Sequence, residues 1–257
     1  MILDDILART RADLVERKRQ RPLAALEAEA ARRPPARSLA RALRQPSRIT
    51  CIAEFKRRSP SAGWIAEHAQ PAPMARAYAA GGASAMSVLT DGPFFGGSLE
   101  DLQAARAASE LVILRKDFIV DRYQVVEARA AGADALLLIV AALTDAELGA
   151  LLADVRAAGL EALVEAHDAD EVARAVAAGA AVIGVNNRDL KTFTVDRGLA
   201  ARLRPQVPAD RLMVAESGVR DAADVAGLRA ANIDAILVGE ALMRAPDPTA
   251  GLRALLG

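Results

Sequence analysis

Charged side chains that could carry acid–base chemistry stand at the ends of apolar segments along this chain. The first two are Glu54 and Lys56, which follow the apolar run 49–53. Residues two apart on a strand point to the same side, so we expect this carboxylate and this ammonium to lie side by side. The sequence Ser-Pro-Ser-Ala-Gly at 59–63 then predicts a turn. Alone, the pair is equally compatible with a salt bridge at the protein surface.

Later apolar segments end in the same way. Together with the first pair, their ends supply three carboxylates and three cations: Glu54, Glu165, Glu216, Lys56, Lys116 and Arg188. Charges inside a partly desolvated site need partners, and such clusters separate pKa values into acids and bases. We therefore interpret the set as a catalytic site rather than as solvated surface charge.

Small residues close the last two apolar segments, and a helix is predicted to start after each of them. Ser217-Gly218 and Gly239-Glu240 would let backbone N–H groups approach an anion at these helix starts. We predict a phosphate site at Gly218, Gly239 and Glu240, with the Glu240 carboxylate turned to solvent. Glycines that serve only the turn are the alternative.

The elements that must position these residues are short apolar strands that alternate with helices. The eight strands are predicted within 49–55, 81–90, 111–114, 132–140, 159–165, 179–186, 211–215 and 232–239. Helical patterns lie between them, including 73–80, 145–158 and 169–178, and a final helix is predicted over 242–256. Gly, or once Asn, at a helix C-cap marks the start of five of the strand segments.

Eight such alternations predict an α/β fold, either a (β/α)8 TIM barrel or a doubly wound open sheet. No G-x-G-x-x-G follows the first strand, which disfavours the dinucleotide-binding form of the open sheet. We therefore predict a TIM barrel, the catalytic domain, over residues 47–257. Residues 1–46 are predicted to form two helices to about 19 and over 22–30, then a short helix capped by Ser38 and ended by Pro46. This segment is too short to bury its own core, so we predict an N-terminal helical extension packed on the barrel.

Composition narrows the class of protein. Lys plus Arg equals Asp plus Glu, 33 each, which argues against nucleic acid as an obligatory partner. Charged residues interrupt the N-terminal apolar pattern, and no run of ~18 apolar residues occurs, so we expect a cytoplasmic protein without a membrane partner.

Cys51 is the one cysteine, and His68 and His167 lack a second ligand at suitable spacing, so no metal site is predicted. Cys51 is interpreted as a core residue and His167 as a loop histidine.

The motifs at the strand ends resemble those of the indole-3-glycerol phosphate synthase family of tryptophan biosynthesis. The resemblance runs from about residue 48 to the end of the chain and includes the helical extension. It is carried by the segments 52–61 (IAEFKRRSPS), 87–91 (SVLTD), 114–119 (LRKDFI), 183–190 (IGVNNRDL) and 214–218 (VAESG).

This resemblance implies a reaction in aromatic amino acid biosynthesis. The substrate 1-(2-carboxyphenylamino)-1-deoxyribulose 5-phosphate would close its ring, lose carbon dioxide and water, and become indole-3-glycerol phosphate. The enzyme would be a decarboxylating carbon–carbon lyase with no metal or organic cofactor. Its partner would be this small phosphorylated molecule; other tryptophan-pathway enzymes are candidate partners, and the expected state is a monomer or weak dimer.

The resemblance also implies roles for residues at matching positions. Lys116 would protonate the substrate carbonyl oxygen during ring closure, and Glu165, Glu54 and Lys56 would serve the later proton transfers. Lys56 would also face the substrate carboxylate. Asn186, Arg188, Glu216 and Ser217 would position the ribulose chain and the carboxyl side. Phe95, Phe118, Leu137 and Leu190 would pack the anthranilate ring, and Ser59 or Lys56 would reach the phosphate.

Two alternative functions stay open at this stage. Another phosphate-binding barrel enzyme, such as phosphoribosylanthranilate isomerase, would by resemblance require a cysteine base at the end of the first strand, whereas Cys51 lies upstream of that end. A non-catalytic barrel scaffold is the second, and the cluster of Glu54, Lys56, Lys116 and Glu165 argues against it because a scaffold has no use for buried charges.

Overall fold

Eight parallel strands close into a barrel in this computed structural model, which describes residues 2–45, 48–189 and 192–257. The order around the barrel follows the chain, and the first barrel strand pairs with both the second and the last, so the sheet is closed rather than open. The strands are β1 (Thr50–Phe55), β2 (Arg58–Ser59), β3 (Gly63–Trp64), β4 (Ala85–Leu89), β5 (Val112–Lys116), β6 (Ala135–Ile139), β7 (Glu161–Ala166), β8 (Val182–Asn186), β9 (Leu212–Glu216) and β10 (Ala235–Val238). Of these, β2 and β3 form a separate antiparallel hairpin. The predicted TIM barrel is confirmed.

Helices alternate with the barrel strands and cover the outside of the sheet. They are α1 (Ile2–Gln20), α2 (Leu23–Ala31), α3 (Leu39–Leu43), α4 (Pro71–Gly81), α5 (Gly92–Phe95), α6 (Leu99–Ala108), α7 (Arg122–Ala131), α8 (Asp145–Ala157), α9 (Ala169–Ala177), α10 (Leu199–Leu203), α11 (Ala222–Ala230), α12 (Glu240–Met243) and α13 (Pro248–Leu256). Within the described ranges, no helix combines the length and the apolar character needed to cross a membrane.

The predicted helix over 242–256 is wrong as a single element. The chain forms α12 and then begins again with α13. The second start has a local cause: the Asp247 side chain accepts hydrogen bonds from the backbone N–H groups of Thr249 and Ala250, and Pro248 occupies the first turn, where its missing N–H is not needed.

The first three helices pack on two different parts of the barrel. Helix α3 lies at the N-terminal end of the strands, where Leu39 and Leu43 are fully buried in the interior cluster of the barrel. The Ser38 side chain caps α3 as predicted, by accepting a hydrogen bond from the Arg41 N–H. It also donates to Glu161 of β7 at 2.7 Å. Pro46, the predicted end of the extension, lies outside the described residues, and the domain boundary at residue 47 stays a prediction.

Helix α1 is held to the barrel through α7. The hydroxyl of Tyr123, which is buried, donates to the carbonyl oxygens of Arg17 and Arg21 at 3.0 and 2.9 Å. Arg17 also pairs with Glu127, and Lys18 lies 2.6 Å from Asp121. These contacts fix the C-terminal half of α1, so its N-terminal half can reach the mouth of the barrel.

Candidate active site

A cluster of buried charges occupies the end of the barrel where the strands terminate. Lys116 Nζ lies 3.3 Å from Glu165 Oε2, 3.3 Å from Glu216 Oε2 and 3.9 Å from Glu54 Oε2. The second lysine, Lys56, lies 2.8 Å from Glu54 Oε1. The side chains predicted to converge therefore do so, and Lys116 is the cation that the three carboxylates share.

Two glycines, one on β8 and one directly after β10, make room for two of these carboxylates. A Cβ atom on Gly184 of β8 would overlap with the Glu216 carboxylate, and a Cβ atom on Gly239 would lie 2.5 Å from Glu54 Oε1. The missing side chain of Gly239 thus has a structural reason that the sequence did not indicate. Each carboxylate packs over a position where any larger residue would displace it.

We expect Gly184→Ala to destabilise the protein by about 1–3 kcal/mol, the usual cost of overpacking, because the methyl group must push the Glu216 carboxylate aside. Urea unfolding measures this cost. In a Glu216→Ala background the same substitution should cost clearly less, since the overlapping carboxylate is gone and only the contact with Leu163 Cδ1 at 3.2 Å stays tight. Gly149→Ala is the matched control, because a Cβ atom on Gly149 meets nothing within 4 Å. An equal cost of Gly184→Ala in both backgrounds would contradict the packing described here.

The carboxyl groups of the cluster differ strongly in their pKa values. Burial acts to raise the pKa of Glu165, but Lys116 and His167 outweigh it and hold that pKa well below its usual range. Burial raises the pKa of Glu216 to about 8, against the attraction of Lys116 and with the help of the neighbouring Glu165 charge. Burial acts to lower the pKa of Lys116, yet the three carboxylates raise it above its usual value. At neutral pH the site therefore combines an ammonium, an ionised carboxylate and a protonated carboxyl group, as acid–base chemistry requires.

One carboxylate oxygen of this cluster has no partner among the described residues. Glu216 Oε1 is buried without a hydrogen-bond partner in the described parts of the chain, whereas Glu165 Oε2 and Glu216 Oε2 each lie 3.3 Å from the Lys116 ammonium. Native proteins rarely leave buried polar atoms unpaired. Glu216 lines a cavity, so a bound molecule can supply the missing donor.

A second network of charged side chains, on the side of β5 opposite to Lys116, holds the end of this strand in place. Arg115 is 1% exposed, and its guanidinium lies 2.8 Å from Asp117 Oδ2. Asp117 Oδ2 also accepts a hydrogen bond from Thr90 Oγ1 at 2.5 Å. Because residues alternate along β5, this network faces the helices while Lys116 faces the mouth.

The cavity above the cluster is apolar and aromatic on its other walls. The cavity opens to solvent, so a small molecule can reach its walls from outside. Phe95 and Phe118 stand 5.9 Å apart between ring centroids. The remaining apolar lining comes from the barrel, from the segment after β8 and from α1: Leu89, Leu137, Ile139, Leu237, Phe193, Ile2, Leu3 and Ile6. A flat, uncharged ring fits these walls.

A second cavity adjoins the first and is rich in cations. The two share six lining residues: Glu54, Lys56, Arg188, Ser217, Leu237 and Glu240. Three further arginines line the second cavity, and two of them are already paired: Arg220 with Asp224 at 3.2 Å and Arg244 with Glu240 at 3.0 Å. Arg197, the third, has no hydrogen-bond or ion-pair partner among the residues that the structure describes. The carboxylate of Glu240 is thus neutralised by Arg244.

The other predicted site residues also lie at these cavities. Asn186 Oδ1 accepts hydrogen bonds from Ser217 Oγ at 2.8 Å and from the Arg188 N–H at 3.1 Å. Ser59 is buried at the edge of the first cavity. Gly218 lines the second cavity with φ +84°, and a Cβ atom there would lie 2.8 Å from Val195 Cγ1. Leu190, predicted to pack the substrate ring, lies outside the described residues.

His167 lies in the loop between β7 and α9, as predicted, but its side chain turns into the site. Its Nε2 atom lies 3.2 Å from Glu165 Oε1, and its side chain is only 12% exposed. The sequence held a signal for this contact, because His167 follows Glu165 by two residues, the same spacing that joins Glu54 and Lys56. Arg197 was missed for another reason: it lies in a loop, and only the folded chain brings it beside Gly218. No group of three or more metal-ligating side chains occurs within the described ranges.

Comparisons with known proteins extend these observations. The family model for indole-3-glycerol phosphate synthase matches residues 3–255. Among curated relatives, indole-3-glycerol phosphate synthase 2 of Streptomyces coelicolor is 56% identical over 256 residues and covers 100% of this chain and 99% of the relative. The indole-3-glycerol phosphate synthase of Nocardioides sp. is 52% identical over 256 residues, covering 100% and 98%. That of Mycobacterium avium is 49% identical over 255 residues, covering 99% and 93%.

Solved structures show the same architecture at much lower identity. Thiamine phosphate pyrophosphorylase from Pyrococcus furiosus superposes with a TM-score of 0.61 at 17% identity, covering 85% of this chain and 96% of that chain. An N-acetylmannosamine-6-phosphate 2-epimerase from Clostridium perfringens gives a TM-score of 0.61 at 14% identity, covering 80% and 90%. At these identities the likeness shows the barrel fold alone.

Proposed function

The chain belongs to the indole-3-glycerol phosphate synthase family of tryptophan biosynthesis, and from this premise we propose how its two cavities carry out the reaction. The substrate is 1-(2-carboxyphenylamino)-1-deoxyribulose 5-phosphate, and the enzyme acts as a decarboxylating carbon–carbon lyase. One observation carries the proposal: the three carboxylates around Lys116 lie under an apolar cavity that adjoins a cationic one.

The two cavities match the two ends of this substrate. The aromatic ring is assigned to the apolar cavity, between Phe95, Phe118 and Leu137. The phosphate is assigned to the cationic cavity, where Arg188, Arg197 and the backbone at Gly218 and Gly239 surround it. Lys56 lines both cavities, and we assign it to the substrate carboxylate. The ribulose chain then spans the charged cluster.

Ring closure forms a carbon–carbon bond between the ring carbon that bears the carboxylate and the carbonyl carbon of the ribulose. The carbonyl oxygen becomes a hydroxyl by taking a proton, which we assign to Lys116 because its ammonium is held in place by three carboxylates. The bond to the carboxylate then breaks, its electron pair returns to the ring, and carbon dioxide leaves.

Dehydration completes the indole. The new hydroxyl leaves as water after accepting a proton, and the neighbouring carbon loses a proton to restore aromaticity. These two transfers need an acid and a base within reach of one another. We assign the base to Glu165, which stays ionised, and the acid to Lys56, which is paired with Glu54. Asn186 and Ser217, which are hydrogen-bonded to each other, position the ribulose hydroxyls beside Glu216.

The direct test is to mix the purified protein with 1-(2-carboxyphenylamino)-1-deoxyribulose 5-phosphate and follow indole fluorescence. Formation of indole-3-glycerol phosphate together with one equivalent of carbon dioxide is the expected result. Substrate consumption without indole, or no consumption at all, would contradict the proposal.

The isomerase alternative requires a cysteine base at the end of the first strand, and Cys51 does not meet that requirement. Cys51 is fully buried in the core cluster between the strands and the helices, and burial raises the pKa of its thiol to about 12. A thiol with that pKa that faces away from the mouth cannot abstract a substrate proton at neutral pH.

Arg197 offers a test of the phosphate site. We expect Arg197→Gln to raise the KM for the phosphorylated substrate about tenfold, or ~1.4 kcal/mol, because a charge-assisted hydrogen bond to phosphate is lost. Arg220→Gln is the matched control: it removes the same charge from the same cavity, but Asp224 already occupies that guanidinium, so a smaller rise is expected. Steady-state kinetics measure both. Equal effects of the two substitutions would place the phosphate elsewhere.

A further inference from the structure

His167 is clamped between two carboxylates at the mouth of the barrel. Its Nε2 atom faces Glu165 Oε1 at 3.2 Å, and its Nδ1 atom faces Glu171 Oε2 at 3.0 Å. The backbone N–H of His167 donates to the same Glu171 oxygen at 2.8 Å. Glu171 stands in the first turn of α9, where Asp168 caps the helix. Glu171 therefore fixes the ring through Nδ1, while Nε2 lies at ion-pair distance from Glu165 without a hydrogen bond among the described residues.

The two flanking carboxylates favour a doubly protonated ring. A neutral imidazole carries one lone pair, which would lie 3.0 Å from Glu171 Oε2 at Nδ1 or 3.2 Å from Glu165 Oε1 at Nε2, next to a negative charge in either case. The charged groups facing the ring are Glu165 on β7 and Glu171 on α9, with Lys116 at the other oxygen of Glu165. Burial lowers the pKa of His167, but the two carboxylates outweigh it and raise that pKa to about 10.

An imidazolium at this place distinguishes the two carboxylates that flank Lys116. Glu165 has a cation at each oxygen, His167 at Oε1 and Lys116 at Oε2. Glu216 has Lys116 at Oε2. Two carboxylates that share one cation compete for a proton, and the additional cation favours the ionised form of Glu165. The proton then resides on Glu216.

We propose that His167 is a positioning residue: as an imidazolium held by Glu171, it keeps Glu165 ionised and oriented as the base of the dehydration step. This inference rests on the proposed function for the role of Glu165. The protonation state of His167 itself does not rest on it, so the two can be tested separately.

The first experiment follows the histidine rings by NMR in the complete enzyme. The chain has 2 histidines, and a His68→Gln variant identifies the signals of the other. We expect His167 to remain doubly protonated at pH 8 and to lose its proton only as the pH approaches 10. A neutral His167 ring at pH 8 would overturn the proposal, whether or not the enzyme forms indole.

The second experiment is the pH profile of a His167→Asn variant. Asparagine places its amide where Nδ1 stood, beside Glu171, and leaves Glu165 Oε1 without the imidazolium charge, so the pKa of Glu165 should rise and its ionised form should be lost at a higher pH. We expect the acidic limb of kcat to move up by about one pH unit, with KM near the wild-type value. A limb that coincides with that of the wild type would also overturn the proposal.

A second variant keeps this test independent of folding problems at position 167. Glu171→Gln removes one of the two charges that hold the imidazolium and should move the acidic limb in the same direction by a smaller amount. Glu147→Gln is the matched control, because Glu147 occupies the same first-turn position of the neighbouring helix α8. If Glu171→Gln and Glu147→Gln both leave the profile unchanged, the clamp has no role in catalysis.

The stability of the folded protein should also depend on the charge of His167. The pKa of His167 is higher in the folded protein than its ordinary value of 6.5, so its contribution is complete below pH 6.5 and is lost as the pH rises through about 10. The difference in unfolding free energy between the wild type and His167→Asn should therefore shrink between these limits. A difference that does not change with pH would indicate packing rather than charge.

Discussion

A Lys116→Met enzyme should lose about 10²–10⁴-fold in turnover while it still binds substrate or product. Methionine fills a similar volume but supplies neither the proton nor the charge, and a general acid contributes a factor of this size. An interaction made mainly in the transition state lowers kcat far more than it weakens ground-state binding. Stopped-flow or steady-state indole fluorescence gives kcat, and titration with indole-3-glycerol phosphate gives the binding constant.

The control for this substitution is Lys18→Met, which removes a half-exposed lysine of α1 that pairs with Asp121. Turnover of that variant should stay near the wild-type value. A Lys116→Met enzyme that keeps more than about a tenth of wild-type turnover would show that another group supplies the proton.

The stability of Lys116→Met separates lost chemistry from lost folding. Without the shared cation, the pKa values of all three buried carboxylates should rise: that of Glu216 already stands above its unfolded value, at about 8, while, despite burial, those of Glu54 and Glu165 are held below theirs partly by Lys116. Protonated carboxyl groups need no cation, so the variant should approach wild-type stability in acid and fall below it as the pH rises towards and beyond 8. Urea unfolding at pH 5.5 and 8.5 would show this trend, and kinetics measured at the lower pH would be free of unfolding.

The barrel could be predicted because residues close together in sequence specify each repeated helix–strand unit. Five of the eight barrel strands follow a helix that ends with a glycine or asparagine in a left-handed backbone conformation, as at Gly82 and Gly132, both with φ +94°. Such signals lie within a few residues of the feature that they specify. The β2–β3 hairpin and the division between α12 and α13 were missed because two-residue strands and a four-residue helix carry too little pattern to detect.

The charged cluster was predictable for a related reason. Strand alternation fixes which side each residue faces, and parallel strands bring their ends to one edge, so Glu54, Lys116 and Glu165 had to meet. The packing of Gly184 against Glu216 was not predictable, because it depends on which residues of β8 and β9 stand opposite each other. In the fold, Gly184 pairs with Val214 and Asn186 with Glu216. That register is set by the whole barrel and not by either strand alone.

The cationic lining of the second cavity was also not predictable, because it too depends on the whole fold rather than on local sequence. Sequence indicated an anion site made from backbone at Gly218 and Gly239, with no dedicated arginine. The structure adds Arg197, Arg220 and Arg244, which come from three different loops or helices and are brought together by the fold. Their pairing states, which decide how much charge is left for a phosphate, depend on Asp224 and Glu240. Each of the two pairs has i,i+4 spacing in the sequence, but no spacing rule brings the three arginines to one cavity.

Glu165→Gln should have an effect as large as that of Lys116→Met, but with a different signature. The amide keeps the shape of the side chain and cannot accept the proton released during dehydration, so turnover should fall about 10²–10⁴-fold. KM should change little, because the ring and the phosphate are bound by other residues. The residual activity should also lose the acidic limb of its pH profile, since no carboxylate at position 165 is left to titrate.

Glu161→Gln is the matched control for this prediction. Glu161 stands at the opposite end of the same strand, where it accepts hydrogen bonds from Ser38 Oγ and the Ala40 N–H, both at 2.7 Å. The substitution is chemically identical and far from the cavities, so it should lower stability without changing the pH profile of turnover. If Glu165→Gln kept the wild-type acidic limb, the base would be another carboxylate of the cluster. Glu54 would then be the first to test, because it too lies within 4 Å of Lys116, at 3.9 Å.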